Sequence, residues 1–229
     1  MDTPHFPEAQ HPIVASLAAR SDLELLDLFQ RYPDSGRYFV ALFCRYSPIV
    51  YTLARHATLS PVQTDYLFAK TWQRIFRELT ILDLRLAQEN LGGSANLEEF
   101  TLQNWLINIT AVCVNQAELP SVESIHYSLS NASPPLWCYL ENALDRQEPM
   151  TRLMTIMAQT LHWSEPRIAA YLQAEGETIS PAGVRARLRQ GYRAIQESLP
   201  PDIRAIYLGE PLATADAIAA ADLSSIGVD

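Results

Sequence analysis

Residues 163–200 read WSEPRIAAYLQAEGETISPAGVRARLRQGYRAIQESLP, and this stretch decides the fold. It predicts two helices around a turn. Ile168, Ala169, Tyr171 and Leu172 give the first helix its apolar face. Val184, Leu188, Tyr192 and Ile195 recur at helical spacing and give the second helix its own. Between them lies QAEGETISPAG, rich in breakers and small residues. Ser180 precedes Pro181, which reads as an N-cap followed by proline in the first turn. The second helix carries Arg185, Arg187, Arg189 and Arg193 against a single Glu197. Arg185, Arg189 and Arg193 share one side. A helix-turn-helix with arginines on its second helix suits a DNA major groove. Arginines four apart on an amphipathic helix are equally readable as a solvated face. The turn is longer than the 3–4 residues of a tight helix-turn-helix.

The remainder of the chain supports an all-α protein. Apolar residues make up 48% of the 229 positions, enough for real cores and too many for wholesale disorder. Fifteen prolines against eight glycines suggest helices separated by stiff connections. No period-two run or Asn-Gly hairpin signal argues for strands. Ser21 and Asp22 open a helix, SDLELLDLFQRY, with Leu25, Leu28 and Phe29 on its face. A turn at Pro33–Gly36 leads into RYFVALFCRYSPIVYTLARHA, which Pro48 should kink or interrupt. Ser60-Pro61 opens SPVQTDYLFAKTWQRIFREL, whose core stripe is Phe68, Trp72, Ile75 and Leu79, leaving Lys70 exposed. After a loop at 87–97, EEFTLQNWLINITAVCVNQAE forms another helix with Phe100, Trp105, Leu106, Ile109, Val112 and Cys113.

Composition then shifts. LPSVESIHYSLSNASPP is polar, bounded by prolines and without periodicity, and reads as a linker. The expected organisation is two small helical domains joined by a flexible linker. A mobile arm covers 1–20, a first helical domain 21–117, the linker 118–135 and a helix-turn-helix domain 136–200. A short helix, DIRAIYL, and an acidic tail complete 201–229.

Charge and residue placement exclude several functions. Lys and Arg total 17 against 26 acids, a net charge of −9, so indiscriminate nucleic-acid binding is disfavoured. DNA contact therefore needs a local basic patch or a partner already on DNA. His5, His11, His56, His126 and His162 are scattered, and no glycine-rich phosphate loop occurs, so an enzyme is not expected. Cys44, Cys113 and Cys138 are far apart and read as buried free thiols of a reducing cytosol. No apolar run has transmembrane length, and the N-terminus lacks a signal-peptide pattern. A cytoplasmic protein is expected, with no membrane partner, small-molecule substrate, metal or cofactor.

The segments, taken in order, resemble the bacterial extracytoplasmic-function sigma factor family. DLELLDLF from Asp22 resembles that family's opening helix. FVALFCRYSPIVYTLA from Phe39 resembles its phenylalanine-x-x-leucine-tyrosine-x-x-tyrosine stretch. FTLQNWLINITAVCVNQ from Phe100 resembles its phenylalanine-x-x-tryptophan-leucine-x-x-isoleucine-alanine helix. LENALDRQEPMTRLMTIMAQTLHWSEPRIAAYL and GVRARLRQGYRAIQ resemble its last four helices. Together these cover most of 22–117 and 136–199.

The resemblance implies a transcription initiation factor whose partners are core RNA polymerase and promoter DNA, with room for an anti-sigma factor. Its polymerase-binding positions are Tyr66, Ala69, Lys70, Gln73 and Arg74. The family's aspartate-x-x-glutamine-glutamate motif is replaced here by Tyr66, Ala69 and Lys70. Trp105, Asn108 and Asn115 would lie near unpaired promoter bases, where aromatic stacking and amide hydrogen bonds can read a flipped base. Burial tendency gives Trp105 a second reading as a core residue. The arginines usual between Trp105 and the linker are absent, with Asn108, Ala111 and Val112 in their place. Ser180, Arg185, Arg187, Arg189 and Arg193 complete the implied DNA-binding set, Arg185 and Arg189 towards base edges or phosphate and the other two on phosphate. The altered contact residues also admit a sigma-fold regulator that binds polymerase or another regulator without melting promoters.

Overall fold

The computed structural model describes residues 4–83 and 101–211. The loop expected at 87–97, Phe100 and most of the acidic tail lie outside the described residues. Ten α-helices are present among them: α1 (Pro12–Ala15), α2 (Asp22–Arg31), α3 (Arg37–His56), α4 (Pro61–Leu79), α5 (Leu102–Gln116), α6 (Pro134–Asp145), α7 (Pro149–Gln159), α8 (Glu165–Ala174), α9 (Pro181–Ser198) and α10 (Pro201–Leu208). Two short 3₁₀ turns, Pro7–Gln10 and Val122–Ser124, join them, and no strand occurs among the described residues. The chain is all-α, as its periodicity indicates.

Proline initiates most of these helices. It occupies the first turn of α1, α4, α6, α7, α8, α9 and α10, where its missing N–H would have had no intrahelical partner. Ser21 closes a capping box with Glu24 at the start of α2. Pro48 does not interrupt α3, which runs unbroken from Arg37 to His56. A proline there leaves the carbonyl of Cys44 without its helical donor. The Ser47 hydroxyl supplies one, donating to that carbonyl at 3.4 Å.

The largest core is aromatic and centred on α3 and α4. Phe39, Phe43, Phe68, Trp72 and Phe76 stack edge to face or tilted, the Phe39–Phe76 centroids 4.7 Å apart and the Phe43–Trp72 centroids 4.9 Å. The expected stripe of α4 is fully inside, with Trp72 at 0% exposure. Leu67, Ala69, Thr71 and Gln73 are buried as well. α4 therefore hides most of its circumference, because α3, α5 and α6 all pack on it.

The packing departs from the expected division at three places. Residues 4–20 are docked rather than a mobile arm. Phe6 stacks on Phe43 and Phe68, and Val14 and Leu17 are buried. The stretch 118–135 is likewise held against the first core. Its Tyr127 ring lies 4.8 Å from Trp137, and Gln63 Nε2 donates to the Pro120 carbonyl at 3.0 Å. Short contacts of this kind need no helical periodicity, so composition reads them as linker.

The third departure concerns α6 and α10. Cys138, Tyr139 and Ala143 of α6, with Leu199 and Ile203, join the first hydrophobic cluster. Tyr139 meets Phe76 at 5.1 Å and Phe39 at 6.4 Å. At the other end, Asp202 caps α3 across the chain. Its carboxylate accepts from Gly36 N at 3.0 Å, Arg37 N at 2.9 Å and Ser35 Oγ at 2.9 Å. Gly36 is required there, since a Cβ would lie 2.2 Å from Ile203 Cγ1. Tyr207 OH donates to the buried Glu8 at 3.1 Å. The second cluster is consequently smaller than residues 136–200. It is built by Met154, Met157, Ile168, Ala169, Leu172, Val184 and Leu188, from α7, α8 and α9 alone. These three helices leave the main core after α6, and the chain returns to it through Ile195 at the end of α9, Leu199 and α10.

Candidate functional site

α8 and α9 form the expected pair. α8 ends at Ala174, and residues 175–180 cross to α9. Gly176 takes a left-handed φ of +95°, which permits the sharp exit from α8. Gln173 Nε2 then fixes the turn by donating to the Ile179 carbonyl at 2.7 Å. Ser180 caps α9, its hydroxyl accepting from Gly183 N at 3.2 Å. Ser180 is thus occupied with the helix terminus, a positioning task. Behind α9, Val184, Leu188 and Gly191 face the bundle. Gly191 lets α7 approach closely, since a Cβ would lie 2.8 Å from Thr151 Cγ2. Tyr192 and Tyr171, expected on apolar faces, are exposed at the edges of their helices.

The four arginines do not share one face. At about 100° per residue, Arg193 lies opposite the buried Val184–Leu188–Gly191 side, with Arg189 and Gln190 beside it. Arg185 stands on one flank and Arg187 on the other. All four are exposed. Each flank residue meets a carboxylate. Arg185 Nε lies 3.2 Å from Glu165 Oε1, at the start of α8. Arg187 Nη1 lies 3.4 Å from Glu148 Oε2, at the start of α7. The hydrogen bond from Arg185 holds the Glu165 carboxyl below the usual carboxylate range, with Arg189 adding attraction. Glu148 is lowered chiefly by the backbone N–H groups of Thr151 and Met150, which it caps, and then by Arg187. Arg189 and Arg193 form no ion pair among the described residues.

One cluster on this unit escaped the sequence reading. Arg167 sits 4.3 Å from the Trp163 ring centroid, and Trp163 meets Tyr171 edge to face at 5.7 Å. The spacing 163, 167, 171 is helical, but periodicity alone gives a place only to Tyr171, on an apolar face.

The second candidate set lies on α5. Trp105 is half-buried and packs against the main core. Asn108, Ala111, Val112 and Asn115 form an exposed stripe at helical spacing. It carries no charge. The asparagines belong to the large core's surface and the arginines to the smaller unit.

The third set, on α4, is largely covered. Ala69 and Gln73 are buried and Tyr66 is half-buried. Lys70, expected to be exposed, is half-buried instead. Its Nζ lies 4.9 Å from the centroid of Trp137 on α6 and donates to Gln73 Oε1 at 2.9 Å. Arg74 bonds Glu78 at 2.8 Å and Gln116 at 3.2 Å. Beyond them Arg77 reaches Glu141 of α6 at 3.9 Å. Burial raises the Glu141 pKa, and Lys70 and Arg77 partly offset that rise. The physical cause is the docking of α6 along α4, which the notion of a separate 136–200 domain does not include.

Among the described residues no group of three His, Cys, Asp or Glu side chains could hold a metal ion, and no helix is long and apolar enough to cross a membrane. No protein-family model matches the chain, nor does any curated protein or solved structure.

Proposed function

We propose that this chain is a sigma-like transcription initiation factor that contacts duplex DNA through α9. One observation carries the reading. In a chain of net charge −9, the exposed surface of a single helix concentrates Arg185, Arg187, Arg189 and Arg193. The first half of that helix stands on the smaller hydrophobic cluster, and Ile195 near its end packs on the main core. A recognition helix meets base edges with its N-terminal, outward residues and phosphates with its flanks. Arg189 and Gln190, outward but in the middle of α9 rather than in its first turns, are the polar side chains that take the first role here. Arg185 and Arg187 reach the phosphates of the two groove walls, and Arg193 reaches phosphate one turn on. This assigns Arg185 to phosphate, because it lies on a flank. The neutral stripe Asn108–Asn115 is the surface offered to unpaired bases.

Polymerase contact through Tyr66, Ala69, Lys70, Gln73 and Arg74 is restricted, since Ala69 and Gln73 are buried and the Lys70 ammonium rests 4.9 Å from the Trp137 ring of α6. That contact favours a second reading, a sigma-fold regulator that binds polymerase or another regulator without melting promoters. Pull-down with core RNA polymerase, combined with run-off transcription, separates the two. The first reading requires both stable binding and promoter-specific transcripts. Polymerase binding without promoter-specific transcripts, or neither, supports the second.

A further inference from the structure

The two flank arginines of α9 are the ones already held by carboxylates, while the outward Arg189 and Arg193 are not. We infer that Glu165 and Glu148 act as built-in competitors of DNA phosphate, so that a duplex gains Arg185 and Arg187 only by displacing them. The inference rests on the DNA-binding reading and adds to it the residues that set its selectivity.

The geometry supplies the reasons. Each carboxylate comes from the N-terminal turn of a neighbouring helix and reaches sideways to one flank of α9. Arg185 lies 3.2 Å from its partner and Arg187 3.4 Å, both longer than the about 2.7–2.9 Å of a strong charge-assisted hydrogen bond, so a phosphate oxygen can better either contact. Both pairs remain open to solvent, with Arg185 56% and Arg187 51% exposed, so exchange for another anion needs no unfolding. Exposed pairs of this kind are weak and yield to competition.

Two consequences follow for recognition. Sequence-independent affinity comes mainly from neutralised phosphates. Occupied flank arginines contribute little to it, and each carboxylate adds repulsion of its own. A duplex that seats α9 deeply brings phosphates to both flanks and displaces both acids. Shallow, non-specific encounters do not. The pairs thus suppress non-specific binding more than specific binding, widening the ratio between them.

The test measures anisotropy of a labelled mixed-sequence duplex with the full chain over a salt series. The variants are Glu165→Gln, Glu148→Gln and, as a control for net charge, Glu123→Gln on the surface of the main core. The Glu165 carboxylate accepts from its own backbone N–H at the α8 terminus, and glutamine keeps an acceptor there, so the variant preserves that end of the helix. Glu165→Gln should tighten mixed-sequence binding by about 5-fold and steepen the salt slope by about one unit, since one more phosphate is neutralised. Glu148→Gln should act in the same direction, and Glu123→Gln should leave the slope unchanged. Adding Arg185→Ala to Glu165→Gln should abolish the gain. Binding by the wild type with no change in affinity or slope for Glu165→Gln overturns the inference and leaves the DNA reading standing. A gain for Glu123→Gln equal to that for Glu165→Gln also overturns it, because net charge alone then explains the effect. Absence of duplex binding by the wild type and every variant overturns both.

Discussion

Replacing Asp202 with alanine tests whether α10 belongs to the main core. The Asp202 carboxylate is 5% exposed and accepts three hydrogen bonds from the start of α3, from Ser35 Oγ, Gly36 N and Arg37 N. Losing an N-cap costs about 1 kcal/mol. A buried donor left unpaired adds ~1–3 kcal/mol, and here the Gly36 N–H would be left so. Asp202→Ala should therefore destabilise the chain by roughly 3 kcal/mol, and Asp202→Asn, which keeps one acceptor, by roughly half of that. Urea denaturation measures the change as a shift in midpoint at constant slope. A compensating gain is not available from solvent, because Ile203 packs directly over Gly36. A loss under about 0.5 kcal/mol, the range of ordinary surface substitutions, would refute the reasoning. So would a slope that falls while the midpoint holds, which would mean that α10 unfolds separately.

Gly36→Ala should be destabilising by about 1–3 kcal/mol, as overpacking against Ile203 requires, and thermal unfolding reads it. Trp137→Ala should remove the ring above Lys70 and increase binding to core RNA polymerase if the sigma-like reading holds; unchanged binding by surface plasmon resonance would favour the regulator reading. Burial lifts the Cys44 thiol from its ordinary 9.0 to about 12. The protonated thiol therefore lends stability that is complete below about pH 9 and is lost as pH rises towards about 12. Cys44→Ala should flatten the alkaline arm of the stability–pH curve, measured by urea midpoint. Trp72→Ala should cost ~3–5 kcal/mol, because its ring is central to the aromatic core, and the same urea titration checks it.

The helices were legible because their signals are local. Ser21 with Glu24, Ser180 with Pro181, and the stripe Phe68–Trp72–Ile75–Leu79 each lie within one or two turns, and each behaves as its spacing predicts. What escaped depends on partners distant in sequence. Tyr139 reads as one apolar residue of a late helix, yet its ring fits between Phe39 and Phe76. Asp202 reads as a surface acid in a short helix, yet it caps α3. Lys70 is expected in solvent because its own helix offers it there, and Trp137 on α6 and Gln73 take up its ammonium. In the candidate interface, the arginines were found from composition, but their division into two outward and two flanking residues needs the buried side of α9. Their pairing with Glu148 and Glu165 needs the approach of α7 and α8. Pro48 shows the same limit at shorter range: a kink or interruption is expected there, and α3 runs on through it with the neighbouring Ser47 hydroxyl donating to the freed carbonyl.

The central claim is that α9 reads duplex sequence, and selection from a randomised duplex pool by the full chain, alone and with core RNA polymerase, tests it most directly. The account predicts an enriched motif under at least one condition. It also predicts that Arg189→Ala loses discrimination at one base of that motif, by ~1–3 kcal/mol, while Arg193→Ala weakens all sequences alike. Failure to enrich any motif under either condition, or a motif that Arg189→Ala leaves intact, would contradict it.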